Sequence, residues 1–144
     1  MTAIVKYDEV EVGTQLPEQT FMIQRADLIH YAGASGDFNI IHWNERVATA
    51  VGLPNVIAHG MFTMALVTRA VTEWTGDPAA VVDIKVRFSR PVSVPDTDEG
   101  TEVVVTATVH EGDGYPELQL SATCQGEKVL SQARATVRAL APAR

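Results

Sequence analysis

Gly60-Met-Phe-Thr-Met-Ala-Leu-Val-Thr-Arg-Ala-Val-Thr-Glu-Trp-Thr75 is the most apolar helix candidate in the chain, and Gly76 stops it. Met61, Met64, Ala65, Leu66, Ala70, Val71 and Trp74 cover more than one narrow stripe. Such a helix, roughly 22 Å long at the usual rise per residue, is apolar on most sides and therefore belongs inside the molecule. Its cover has to come from the rest of the chain. After Gly76 the period of the apolar residues changes to two. Val82, Ile84, Val86 and Phe88 alternate with Asp83, Lys85, Arg87 and Ser89, the pattern of a half-buried strand. Further alternating sets run through Val103–Val109, Leu118–Cys124 and Ala133–Val137, separated by the turn-rich segments 95–100 and 111–116. Helices first and strands afterwards point to an α+β domain, an antiparallel sheet wrapped around one buried helix.

Upstream, Thr20–Gln24 reads as a short first strand and Arg25–Gly33 as a short helix ending near Gly33. Asn44–Gly52 gives a stronger helix signal, with Asn44 as N-cap, Glu45 in the first turn and Gly52 at the end. No repeat, low-complexity tract or linker divides the 144 residues, so residues 1–144 are expected to form a single domain.

Composition bounds the function. A net charge of −7 argues against wrapping nucleic acid or binding an anionic membrane surface. No apolar run is long enough to span a bilayer, and Met1–Lys6 lacks the pattern of a signal peptide, so a cytoplasmic protein is expected. The one cysteine, Cys124, cannot make an internal disulfide and falls in an alternating run, as a small buried hydrophobe would. The tail Ala139–Arg144 reads as a fraying terminus.

The chemistry gathers upstream of the long helix. Tyr31-Ala-Gly-Ala-Ser35-Gly36-Asp37-Phe-Asn39-Ile-Ile-His42 places a carboxylate, an amide and an imidazole within six residues, and Ala58-His59-Gly60-Met61 adds a second histidine at the helix start. Asp and His manage protons near neutral pH, and backbone N–H groups at a helix start stabilise a developing oxyanion. Asp37 and His42 are five apart, a spacing that needs a turn to bring them together, and Ser35, Gly36 and Asn39 are turn formers. Each residue also has a plainer reading: Asp37 and Asn39 as ordinary turn residues, His59 as an N-cap or loop brace, and Gly60 as a tight junction. No two histidines stand at i, i+4 and no cysteine accompanies them, which argues against a metal site.

This segment resembles the signature of the MaoC-like (R)-specific enoyl hydratases, which adopt the hotdog fold. The family's Asp, Asn, His and Gly fall on Asp37, Asn39, His42 and Gly60, while its usual proline after Asn is Ile40 here. Val12–Pro17, His42-Trp43, Val51-Gly52-Leu53, Trp74–Pro78 and Val86-Arg87-Phe88 are similar to one branch, the catalytic beta subunit of the actinobacterial type II fatty acid synthase (3R)-hydroxyacyl dehydratase.

The resemblance implies a hydro-lyase that interconverts (3R)-3-hydroxyacyl and trans-2-enoyl thioesters of coenzyme A or an acyl carrier protein. Asp37 and His42 would hold one water, and the Gly60 N–H would stabilise the enolate-like oxyanion. Beside this pair, Asn39 is a candidate to orient the water or the substrate, and Ser35 and His59 are further candidates to contact substrate. No cofactor is implied, because the thioester itself acidifies the α-carbon. Lys85, Arg87 and Arg90 concentrate basic charge in six positions and would meet the phosphates of coenzyme A, phosphopantetheine or an acidic carrier; their plainer reading is a solvated face shared with Asp83. A hotdog acyl thioesterase and a non-catalytic acyl-binding subunit are the alternative readings. The resemblance further implies a homodimer, or a heterodimer with a related hotdog subunit.

Overall fold

The computed structural model describes residues 11–138. Within it, strand β1 (Gln19–Ile23) leads into helix α1 (Arg25–Ser35), a 3-10 turn over Ile40–His42, helix α2 (Glu45–Ala50) and helix α3 (Gly60–Thr75). Strands β2 (Val81–Phe88), β3 (Thr101–His110), β4 (Glu117–Cys124), β5 (Glu127–Lys128) and β6 (Leu130–Val137) come after α3. They form one antiparallel sheet in the order β1-β3-β4-β6-β2, with β5 added as a short hairpin on β4.

Helix α3 begins and ends where the sequence predicts, with Gly76 closing it in the left-handed conformation. Leu66, Val67, Ala70, Val71 and Trp74 are buried against the inward residues of the sheet, among them Val103, Val105, Val109, Leu118, Ala122 and Ala135. A single buried Val or Leu contributes about 1.5–3 kcal/mol, so this contact is a large stabilising term. The face of α3 carrying Met61, Ala65, Arg69 and Glu73 is exposed rather than covered as the apolar pattern predicts. The indole Nε1–H of Trp74 reaches the Pro17 carbonyl at 2.8 Å, so the largest core side chain is also satisfied. Cys124 is buried, as its alternating position indicates.

Three boundaries differ from expectation. Helix α1 runs through Gly33 and stops at Ser35, because Gly36 takes φ +77° and its N–H returns to the Ala32 carbonyl at 2.9 Å. The β5 hairpin carries no alternating pattern and is invisible as periodicity. Strand β6 begins at Leu130, three residues before the alternation is legible, and Gln132 sits at φ +48° where the register with β2 slips. That extra residue is a β-bulge, which interrupts the period that sequence reading relies on. The terminal segments 1–10 and 139–144, including the expected fraying tail, lie outside the described residues. No described helix is long and apolar enough to cross a membrane.

Candidate active site

Asp37 and His42 come together because the chain folds back twice between them. The Ser35 hydroxyl accepts the Asp37 N–H at 3.2 Å, Asp37 Oδ1 accepts the Asn39 N–H at 3.1 Å, and Asn39 Oδ1 accepts the Ile41 N–H at 3.3 Å. This relay of side-chain-to-backbone bonds is the turn chemistry of Ser, Asp and Asn. It leaves Asn39 at φ −54°, ψ 124°, the extended conformation that a proline at position 40 would impose, so Ile40 does not spoil the turn. The Ser35 hydroxyl and the Asn39 carbonyl oxygen are therefore engaged in shaping the loop.

His42 is buried, and its Nδ1 lies 2.7 Å from the Ile57 carbonyl. A carbonyl can only accept, so in the neutral ring Nδ1 carries the proton and Nε2 carries the lone pair. The carbonyl is firmly placed: the Ile57 N–H bonds Ile41, the Ala58 N–H bonds Val92 and the Val94 N–H bonds Val56. Burial is the main cause that holds the His42 imidazole below its ordinary value of 6.5. The Ile57 bond and the Asp37 charge pull the other way, and His59 adds to the lowering.

His59 stands at the N-cap position of α3 but its side chain does not cap the helix. Its Nε2–H donates instead to the Asp37 carbonyl at 3.0 Å, the bracing role rather than the capping one. Tyr31 packs on His59 and on Phe62. Asp37, His42 and His59 each offer a ligand-type atom within 4.8 Å of the others, a cluster that spacing could not show because His59 arrives from a second segment.

A cleft of about 380 Å³ opens beside His42. Gly60, Thr63, Phe88, Arg90 and Leu130 also line it. At Gly60 a β-carbon would stand 3.1 Å from the Phe88 ring, so glycine allows that ring to rest over the helix start. The first N–H groups of α3 lack intrahelical acceptors and carry the positive end of the helix dipole into this cleft. Thr63 and Phe88 escaped the sequence reading, since they look like ordinary helix and strand positions. The Ile57 carbonyl escaped it too, because backbone groups leave no residue signal.

The basic trio corrects one expectation. Lys85 and Arg87 do share a face, but it is the outer face of the sheet, in a groove of about 760 Å³ with Lys128 and Arg134. That groove is larger than the histidine cleft and holds none of its chemistry. Arg90 lies beyond the end of β2, where strand alternation no longer applies, and enters the histidine cleft while paired with Glu127 at 2.8 Å. Lys85 pairs with Asp83 at 3.4 Å, as the solvated-face reading has it.

Similarity to known proteins supplies the class. Residues 9–128 match the MaoC like domain, and the chain belongs to that family. It is 38% identical over 124 residues to a 3-hydroxyacyl-thioester dehydratase X of Mycobacterium tuberculosis, a match covering 86% of this chain and 40% of that protein. A solved MaoC-like dehydratase, 37% identical, superposes with a TM-score of 0.88 over 95% of this chain and 43% of that one. The R-hydratase PhaJ1 from Pseudomonas aeruginosa, 28% identical, gives 0.79 over 92% of this chain and 84% of that one. The fold is the hotdog fold, and the chain spans less than half the length of the first two of these proteins.

Proposed function

We propose that this chain is a hydro-lyase that interconverts (3R)-3-hydroxyacyl thioesters with trans-2-enoyl thioesters and water, acting as a single hotdog domain. The observation that carries the reading is the orientation of His42: its Nδ1–H is tied to Ile57, so the neutral ring presents Nε2 as a base beside Asp37. In hydration, the water oxygen bonds to the β-carbon as one of its protons passes to Nε2. The Asp37 carboxylate accepts a hydrogen bond from the other water hydrogen and orients it. The electron pair of the alkene moves toward the thioester oxygen, which faces the Gly60 N–H and the start of α3. The imidazolium then returns its proton to the α-carbon, and dehydration is the reverse. The names of the mycobacterial and Pseudomonas relatives support this chemistry.

The substrate is an acyl thioester of coenzyme A or of a carrier protein, with Arg90 the basic residue placed to meet its polar arm. The active unit is at least a dimer, of two copies or with a related hotdog subunit. Its support is the open edge of β2, where Val82 is 46% and Phe88 51% exposed. Purified protein given crotonyl-CoA should lose enone absorbance without releasing free thiol. Thiol release instead would make the chain a thioesterase, and no change in either signal would leave it non-catalytic.

A further inference from the structure

The ring of His59 is 2% exposed and lies stacked on that of His42, centroids 3.8 Å apart and planes 22° apart. Tyr31 covers it at 4.8 Å in a tilted arrangement. Nε2–H holds the Asp37 carbonyl, and among the described residues Nδ1 finds no hydrogen-bond partner. A buried, unpaired ring nitrogen is destabilising, and an apolar side chain would pack there without that penalty. The brace to Asp37 uses only Nε2–H and leaves the unpaired Nδ1 without a structural use.

We propose that His59 is a positioning residue for the reaction, fixing Asp37 through its backbone and His42 through its ring face. The two constraints on His42 are complementary. The Ile57 bond lies in the plane of the His42 ring and sets its rotation, while the stacked His59 ring limits tilt out of that plane. Together they aim Nε2 at one point in the cleft. The Asp37 carbonyl, tied to the first residue before α3, keeps the carboxylate in register with the helix start that faces the thioester.

Stacking has an electrostatic consequence as well. Two protonated rings in contact repel strongly in a buried site, so a positive charge on His59 opposes one on His42. The other groups facing this pair are Asp37 from the turn, Tyr31 from α1 and Arg90 from the cleft rim. Asp37 acts in the opposite sense on His42.

The inference rests on the proposed hydration chemistry, and the test separates the two. Wild type, His59→Phe and His59→Gln are assayed with crotonyl-CoA across pH. Phe keeps a stacking ring without the donor, and Gln keeps a donor to Asp37 without the ring. Each should lower kcat by up to about 10²-fold with KM little changed, as expected for misplacement of reacting groups. In both, the acid limb of the kcat profile should move to higher pH, because the His59 ring is one of the groups that hold the His42 imidazole low. A merely structural role would lower the melting temperature and leave that limb in place. Active wild type with unchanged kcat and acid limb in the variants overturns the positioning role, whereas inactive wild type overturns the hydration reading itself. If both variants unfold, imidazole nitrogen NMR of wild type at pH 7 decides. A proton on Nδ1 of His42 and on Nε2 of His59 is expected; a His59 ring carrying its proton on Nδ1 alone would sever its bond to Asp37 and end the proposal.

Discussion

Strands β3 and β2 alternate equally cleanly in sequence, yet they end in different surroundings. On β3 the residues Val103, Val105, Ala107 and Val109 are all buried beneath the sheet and against the helix side of the core. On β2 the matching row of Val82, Ile84, Val86 and Phe88 is only partly covered, and its two ends are exposed. The difference lies in position. β3 sits between β1 and β4, whereas β2 closes the sheet with a free edge. Periodicity states which face is apolar but says nothing of what covers it. One half of the molecule is finished by its own chain and supplies stability. The other half, from the Asp37 turn through Gly60 and Phe88 to the β2 edge, is open, and the proposed chemistry and contacts fall there.

Substitutions should respect that division, and the largest effect is expected at the open side. Asp37→Asn and His42→Ala should each lower hydration of an enoyl thioester by about 10²–10⁴-fold. The melting temperature should change little for the exposed Asp37 and fall for His42, whose truncation leaves a buried space and takes the partner from the Ile57 carbonyl. Near wild-type turnover in a folded variant would remove that residue from the mechanism. On the closed side, Trp74→Ala removes a buried indole and its bond to Pro17, and should destabilise by about 3–5 kcal/mol in denaturant unfolding. If its folded fraction keeps wild-type kcat, the two halves are separable; a large loss of kcat in that fraction would show that core and site are coupled.

The same contrast explains how much of the molecule was legible in the sequence. Local signals were readable: α3 with its closing Gly76, the Asn44 cap of α2, the alternating strands and the Asp37–His42 pair all rest on neighbouring residues. Whatever depends on two distant segments was not. The Ile57 carbonyl that orients His42, the stacking of His59 and the entry of Phe88 over Gly60 exist only after folding. The basic trio shows the limit at shorter range. Lys85 and Arg87 obeyed strand alternation, and Arg90, two residues past the end of β2, did not.

The free edge gives the next test. Val82→Lys and Phe88→Lys place charge on the exposed ends of β2, a substitution that edge strands use to refuse pairing. If β2 is an assembly edge, light scattering should show the variants shifted to monomer at micromolar concentration where wild type is at least a dimer. A wild-type monomer with full activity would mean that the open side serves the substrate alone. Smaller again is the contrast between two arginines. Arg90→Glu, in the histidine cleft, should raise KM for a coenzyme A thioester more than it lowers kcat, while Arg87→Glu, on the outer face, should leave both within about twofold for that substrate. Equal effects at the two positions would reunite the basic patch that the structure divides.

The smallest expected effect is on stability against pH, and it isolates the buried imidazole of the open side. His42 is held below 6.5 in the folded protein, chiefly by burial, whereas in the unfolded chain it titrates near 6.5. Above that value the ring is neutral in both states and its full contribution to stability is present. As pH falls through 6.5 the unfolded chain takes up a proton first, so stability declines until the folded value is reached and then levels off. His42→Asn removes this group, and Asn has no proton to gain. Denaturant unfolding at pH 7.5 and pH 5.5 should therefore show a larger loss for wild type than for His42→Asn, carboxylates and other histidines being common to both. Equal losses would mean that the folded protein does not oppose protonation of His42, and the neutral Nε2 base required for hydration would lose its physical support.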